Sequence, residues 1–154
     1  MQLSEDVISV IMFSMVKHEG QMYGDNPYSY HLDDVFHTYN YLFGYSNDQV
    51  AMLIYSHDLI EDTDTKYADL MSLGLDEEAI LALELLTKPK GMDRDIYIRR
   101  VLQSEMATKV KKADSLSNLV HSFKSGNERL INKYTENLKQ LYGENTTENT
   151  SKTN

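Results

Sequence analysis

From Val50 to Ile60 the chain is apolar almost all the way round a helix, through Val50, Ala51, Met52, Leu53, Ile54 and Leu59. Such a helix belongs at the centre of a fold, since no broad face of it can turn to water without loss. Yet His57-Asp58 stands within it and Glu61-Asp62 follows at once, four ionisable groups in six residues. Groups of this kind are costly in a buried helix unless they are paired or bound to a metal. On a continuous helix His57 and Glu61 are i,i+4, as are Asp58 and Asp62, so each pair shares a face. Neighbouring His57 and Asp58 point about 100° apart, yet both can converge on an ion lodged beside the helix. A solvated helix end is the plainer reading, and the apolar run ahead of it weakens that reading.

The rest of the chain also reads as helix. Ser4 to about Glu19 carries Val7, Ile8, Val10, Ile11, Met12, Met15 and Val16 at helical spacing, and Gly20 stops it. Gly24-Asp25-Asn26-Pro27 marks a loop. Asp33 or Asp34 is suited to cap a second helix through about Phe43, and Asn47 or Asp48 opens the central one. Asp64 opens a short helix ended by Gly74, and Asp76 opens another through about Leu86. Lys88-Pro89-Lys90-Gly91 is a turn. A helix from about Asp93 to Gln103 precedes a longer one holding Met106, Val110, Ala113, Ser117 and Val120 on one stripe. Leu130, Tyr134, Leu138 and Leu141 define the last. The expected fold class is all-α, a single compact helical bundle over residues 1–142. Residues 143–154 form a polar tail with almost nothing to bury, expected to be disordered.

Composition excludes several classes. A chain of 154 residues holds one domain and leaves no room for a second catalytic module. No stretch approaches the roughly 20 apolar residues of a membrane span, and no secretory leader is evident. With no cysteine there is neither a disulfide framework nor thiolate chemistry, so a cytoplasmic protein is the default. A net charge of −9 argues against general nucleic-acid binding. Small anionic ligands stay open, because a divalent metal and a few lysines can reverse the field inside a pocket.

Two further residues suit the same chemistry: His31 upstream, in Pro27-Tyr28-Ser29-Tyr30-His31, and Asp114 downstream, in Lys112-Ala113-Asp114-Ser115. Alone, a histidine near a helix start is more often packed than ligating, and a lone aspartate is more often on the surface. Together with His57 and Asp58 they make a two-histidine, two-carboxylate set. That set suits a six-coordinate Mn or Fe site with open positions better than a closed tetrahedral zinc site. Asn118, i+4 from Asp114, should face the same pocket.

The order His…His-Asp…Asp resembles the HD phosphohydrolases. Within them the chain is similar to the small stand-alone hydrolases of the alarmone (p)ppGpp and to the hydrolase domain of Rel/SpoT-type enzymes. The likeness runs from about Val7 to Leu119. It rests on Lys17-His18-Glu19-Gly20-Gln21 with Pro27-Tyr28 and His31, on His57-Asp58-Leu59-Ile60-Glu61-Asp62-Thr63-Asp64-Thr65, on Leu86-Thr87-Lys88, and on Val110-Lys111-Lys112-Ala113-Asp114 with Asn118-Leu119. The resemblance implies that His31, His57, Asp58 and Asp114 ligate Mn²⁺, with Fe²⁺ or Zn²⁺ as alternatives. It implies that Glu61 and Asp62 are the catalytic acidic pair and that Lys17 and Asn118 contact substrate. Lys111 could meet the pyrophosphate, His18 could line the base pocket, and Tyr134 loosely resembles a substrate-side tyrosine. Ser115 stands where the family usually has Arg or Lys, and Ser117 where His or Tyr is common, which predicts a weaker basic wall.

The implied reaction is removal of the 3′-pyrophosphate of ppGpp or a relative such as ppApp. Such an enzyme could also antagonise an alarmone-synthesising toxin. Other HD substrates stay open: a deoxynucleoside monophosphate, a cyclic nucleotide or a pyrophosphorylated RNA end. A non-catalytic nucleotide-binding module would be expected to lack a ligand or an acid, and none is missing. A purely structural helical protein would make the His57–Asp62 cluster accidental.

Overall fold

The computed structural model describes residues 3–143; the polar segment from 144 on, and the expectation of disorder there, lie outside the described residues. Nine helices and one short hairpin make up the described part. No described helix is long and apolar enough to cross a membrane. Helix α1 (Glu5–Lys17) starts as its sequence dictates, with the Ser4 hydroxyl accepting from the Val7 N–H. The same device opens α3 (Asp48–Ser56) at Asn47, α6 (Glu77–Leu86) at Asp76 and α7 (Arg94–Val101) at Asp93. It also opens α8 (Glu105–Lys124) at Ser104 and α9 (Glu128–Tyr142) at Asn127.

Four local expectations are corrected. Gly24-Asp25 turns a tight antiparallel hairpin, β1 (Met22–Tyr23) with β2 (Asn26–Pro27), rather than an irregular loop. Helix α2 (Tyr28–Phe43) then begins five residues before the predicted Asp33 cap. Pro27, with φ of −61°, enters the helix without a side-chain cap, and the Tyr28 N–H is taken by the Gln21 carbonyl at 3.0 Å. That early start puts His31 in the first turn. Asp64 does not open α5 (Tyr67–Ser72) because its carboxylate is drawn to Lys17 at 2.6 Å; Asp69 instead accepts from the Lys66 N–H.

The fourth correction bears on the site. The helix from Asn47 does not continue through Asp62: α3 stops at Ser56 and α4 (Leu59–Asp62) restarts two residues later. Competing bonds to the last carbonyls explain the break. The Ser56 hydroxyl donates to the Met52 carbonyl at 2.6 Å, and His57 Nδ1 donates to the Ile54 carbonyl at 2.6 Å. His57 and Asp58 thus leave the helical face pattern and can both aim at one point.

Every residue from Val50 to Ser56 is buried, and α3 packs between α1, α2 and α6. Leu32 and Val35 of α2, Leu83 of α6 and Val110 of α8 complete the surrounding core, while α8 lies along both α2 and α9. Leu59, directly after Asp58, is fully buried and pins the restart of the chain. On α1 only Val7, Val10 and Ser14 are buried; Ile8, Met12, Met15 and Val16 of the predicted stripe are exposed, because α1 meets the bundle along one narrow side. Leu53→Ala, which empties a fully buried site on α3, is expected to cost about 2–5 kcal/mol, read as a lower urea midpoint at unchanged slope.

Candidate metal centre

Three elements bring four side chains together. His31 comes from the first turn of α2, His57 and Asp58 from the break between α3 and α4, and Asp114 from the middle of α8. One donor atom each of His31, His57 and Asp114 falls within 4.8 Å of the others, and all three residues are buried. His31 Nε2 lies 3.1 Å from Asp114 Oδ1, and His57 Nε2 lies 3.6 Å from the same oxygen. Asp58 Oδ2 is 3.0 Å from His57 Nε2 and 4.0 Å from His31 Nε2.

Around these residues a ring of hydrogen bonds fixes each orientation. The Nδ1–H of His57 is committed to the Ile54 carbonyl, so Nε2 is the atom turned to the centre, and that buried atom has no hydrogen-bond partner. A backbone carbonyl holding the far nitrogen is how ligating histidines are usually oriented. The Tyr28 hydroxyl donates to Asp58 Oδ2. Asp114 accepts from Lys111 Nζ at 2.7 Å on one oxygen and from Asn118 Nδ2 at 2.7 Å on the other. Asn118 in turn accepts from the Tyr23 hydroxyl at 2.9 Å, and the Tyr23 ring stacks on His31 at 4.6 Å. A partnerless imidazole nitrogen facing a buried and a half-buried carboxylate is a poor protein interior and a good cation site. The donors fit a divalent metal.

Electrostatics point the same way. Burial alone would lower the His57 pKa, but the Asp58 and Asp114 carboxylates carry it well above 6.5. Burial would raise both aspartates, yet His57 holds Asp58 well below the carboxylate range, and Lys111 with the two histidines does the same for Asp114. A metal would therefore displace a proton from His57.

The centre opens on a pocket of about 300 Å³, walled in part by Glu61, Asp62, Lys111, Asn118, Lys133 and Tyr134. Glu61 accepts the Lys88 N–H, and partial burial raises its pKa above 4.5. Asp62 accepts from Gln21 Nε2 at 3.0 Å. Lys17 and His18 stand outside the pocket wall: Lys17 is paired with Asp64, and His18 is buried, bonded to Gln21 at 2.8 Å and packed on Tyr28 at 4.5 Å. Ser115 and Ser117 are enclosed in the helix packing, Ser117 donating to Thr38, and neither lines the pocket. Tyr23, Tyr28, Lys133 and Asn137 also line the pocket. Tyr28 belongs to the motif that led to His31, and Tyr23 lies in the gap between its two parts. Nothing in the spacing of α9 marks Lys133 or Asn137.

The chain shares its fold with a solved metazoan ortholog of SpoT, a protein that hydrolyzes ppGpp and plays a role in starvation responses. The TM-score is 0.75 at 21% sequence identity, covering 93% of this chain and 89% of that one. No family model matches the chain, and neither does any curated protein sequence.

The raised His57 pKa has a consequence for the metal-stripped protein. Stabilisation from the protonated ring is complete below about pH 6.5 and is lost as pH rises through its folded-state value. Tm measured in chelator is expected to fall as pH rises above about 6.5. His57→Gln should flatten that slope, and restored divalent metal should replace the proton. A flat profile for the stripped wild-type protein would contradict the assignment.

Proposed function

We propose that this chain is a metal-dependent 3′-pyrophosphohydrolase that removes pyrophosphate from ppGpp or a related alarmone such as ppApp. One observation carries the reading: two histidines and two aspartates converge on a donor cluster that opens onto a pocket walled by an acidic pair and by lysines. The shared fold with a protein that hydrolyzes ppGpp supports the choice of substrate. His31, His57, Asp58 and Asp114 are the residues that would hold the metal, with Mn²⁺ first and Fe²⁺ or Zn²⁺ as alternatives. Once bound, it supplies the Lewis acidity that lowers the pKa of a water and polarises a phosphoryl oxygen.

The protein's own groups do the rest. Glu61, oriented by the Lys88 N–H and with its pKa raised above 4.5 by partial burial, is placed to take a proton from the attacking water. As the water oxygen joins phosphorus, the bond to O3′ breaks, and the proton passes to O3′ to leave a free hydroxyl and pyrophosphate. Asp62, steadied by Gln21, is the second acid of the pair. Lys111 keeps Asp114 ionised in a buried position. Asn118 and Tyr134 line the pocket within reach of a nucleotide, and His18 contributes by packing beneath Tyr28. A cytoplasmic setting and antagonism of an alarmone-making toxin would follow from that activity.

The test is chromatography of ppGpp and ppApp after incubation with metal-stripped protein, with and without Mn²⁺. Mn²⁺-dependent release of pyrophosphate is the expected result, and the faster substrate gives the base preference. A protein that binds metal but turns over neither compound would redirect the reading to another nucleotide, beginning with deoxynucleoside monophosphates. Asp58→Ala should lose the metal. Glu61→Ala should keep it while kcat falls about 100-fold or more; full activity in that variant would remove Glu61 from the mechanism.

A further inference from the structure

Asp62 is exposed, so packing does not hold its carboxylate. Among the described residues, the hydrogen bond that this carboxylate accepts comes from Gln21 Nε2 at 3.0 Å. The Gln21 backbone is held at both ends: its N–H donates to the His18 carbonyl at 2.9 Å, and its carbonyl accepts the Tyr28 N–H at 3.0 Å. What remains free to choose is the orientation of the side-chain amide. Turned one way it offers Asp62 an N–H; turned the other way it sets a carbonyl oxygen against a carboxylate, with no proton between them. His18 selects the first. Its Nδ1 lies 2.8 Å from Gln21 Oε1, an atom that can only accept, so this pairing puts the ring proton on Nδ1.

Stability alone does not explain a histidine at this position. The ring is 4% exposed, and its other nitrogen, Nε2, is buried with no hydrogen-bond partner. A phenylalanine would fill the same space without stranding a polar atom. The ring also packs on Tyr28 at 4.5 Å, and the Tyr28 hydroxyl donates to Asp58. One side chain therefore touches the supports of both Asp58 and Asp62. Accepting the 3′-pyrophosphohydrolase reading, in which Asp62 is the second acid, we propose that His18 is a positioning residue acting through Gln21. Its Nδ1–H locks the Gln21 amide with the nitrogen turned to Asp62, which fixes the direction in which that carboxylate meets the substrate. His18 does not line the pocket, so its effect falls on the rate once substrate is bound and not on binding.

Kinetics and nuclear magnetic resonance test the lock separately. His18→Phe keeps a ring against Tyr28 and removes the Nδ1–H. Its kcat on ppGpp should fall about tenfold, with KM, bound Mn²⁺ and Tm close to the wild-type values. His18→Asn gives up the ring, but its amide N–H stands where Nδ1–H stood. It should have the lower Tm of the two variants and the higher kcat, a crossing that packing alone cannot produce. Unchanged kcat in His18→Phe overturns the proposal, and kcat that falls in step with Tm across both variants assigns His18 to the fold. The second measurement is the ¹⁵N spectrum of metal-stripped wild-type protein in mildly alkaline buffer. It should show His18 protonated at Nδ1 alone, with Gln21 side-chain amide protons shielded from exchange, and that shielding should vanish in His18→Phe. A ring protonated at Nε2 instead removes the lock, whatever the activity. If the wild-type protein hydrolyses neither ppGpp nor ppApp, the activity reading fails, while the spectrum still decides whether His18 holds Gln21.

Discussion

Asp114 carries a negative charge into the packing between α8, α2 and α9, where an uncompensated carboxylate costs several kcal/mol. The surrounding residues answer that charge. Lys111 reaches it from one turn earlier on the same helix, Asn118 from one turn later, and His31 comes from α2. Each partner then needs its own support, which is why Tyr23 bonds Asn118 and stacks on His31. What results is a connected set in which removing any member exposes the next. Networks of this kind give rigidity only when every polar atom is satisfied, and here one nitrogen of each histidine is left over, His31 Nδ1 and His57 Nε2, the latter facing the centre. Its lack of a partner is the mark of a position meant for something other than protein.

The chemistry of this site was legible in the sequence because it rests on residue types at short separations. The His57–Asp62 run, the Asp114–Asn118 pair and the helix openings at Ser4, Asn47, Asp76 and Asp93 depend on local geometry alone. What could not be read depends on competition between bonds or on long-range approach. The stop after Ser56 is decided by two side chains that take carbonyls from the helix ladder, a choice that periodicity does not register. The early start of α2 follows from a hairpin too short to carry a strand pattern. Lys133 and Asn137 enter the pocket only because α9 folds back along α8, so their sequence neighbourhood holds no sign of it.

The interrupted helix also reconciles two demands that a continuous one could not meet. The apolar residues of α3 must face inward all round, while His57 and Asp58 must turn to a common point and Glu61 and Asp62 must reach the pocket wall. Two turn residues, His57 and Asp58, interrupt the hydrogen-bond ladder between these tasks. Leu59 then anchors the new segment in the core, so the acidic pair is carried on a support with little freedom to drift.

That support is itself only four residues long, far below the length at which a helix holds by its own hydrogen bonds. Its order is borrowed. Gln21 grips Asp62, Tyr28 grips Asp58, and Lys17 closes on Asp64 just beyond, so the segment from Lys17 to Tyr28 straps the short helix at three points. Cutting the outer two, at Gln21 and Lys17, would loosen the acidic pair while every donor atom of the centre stayed in place.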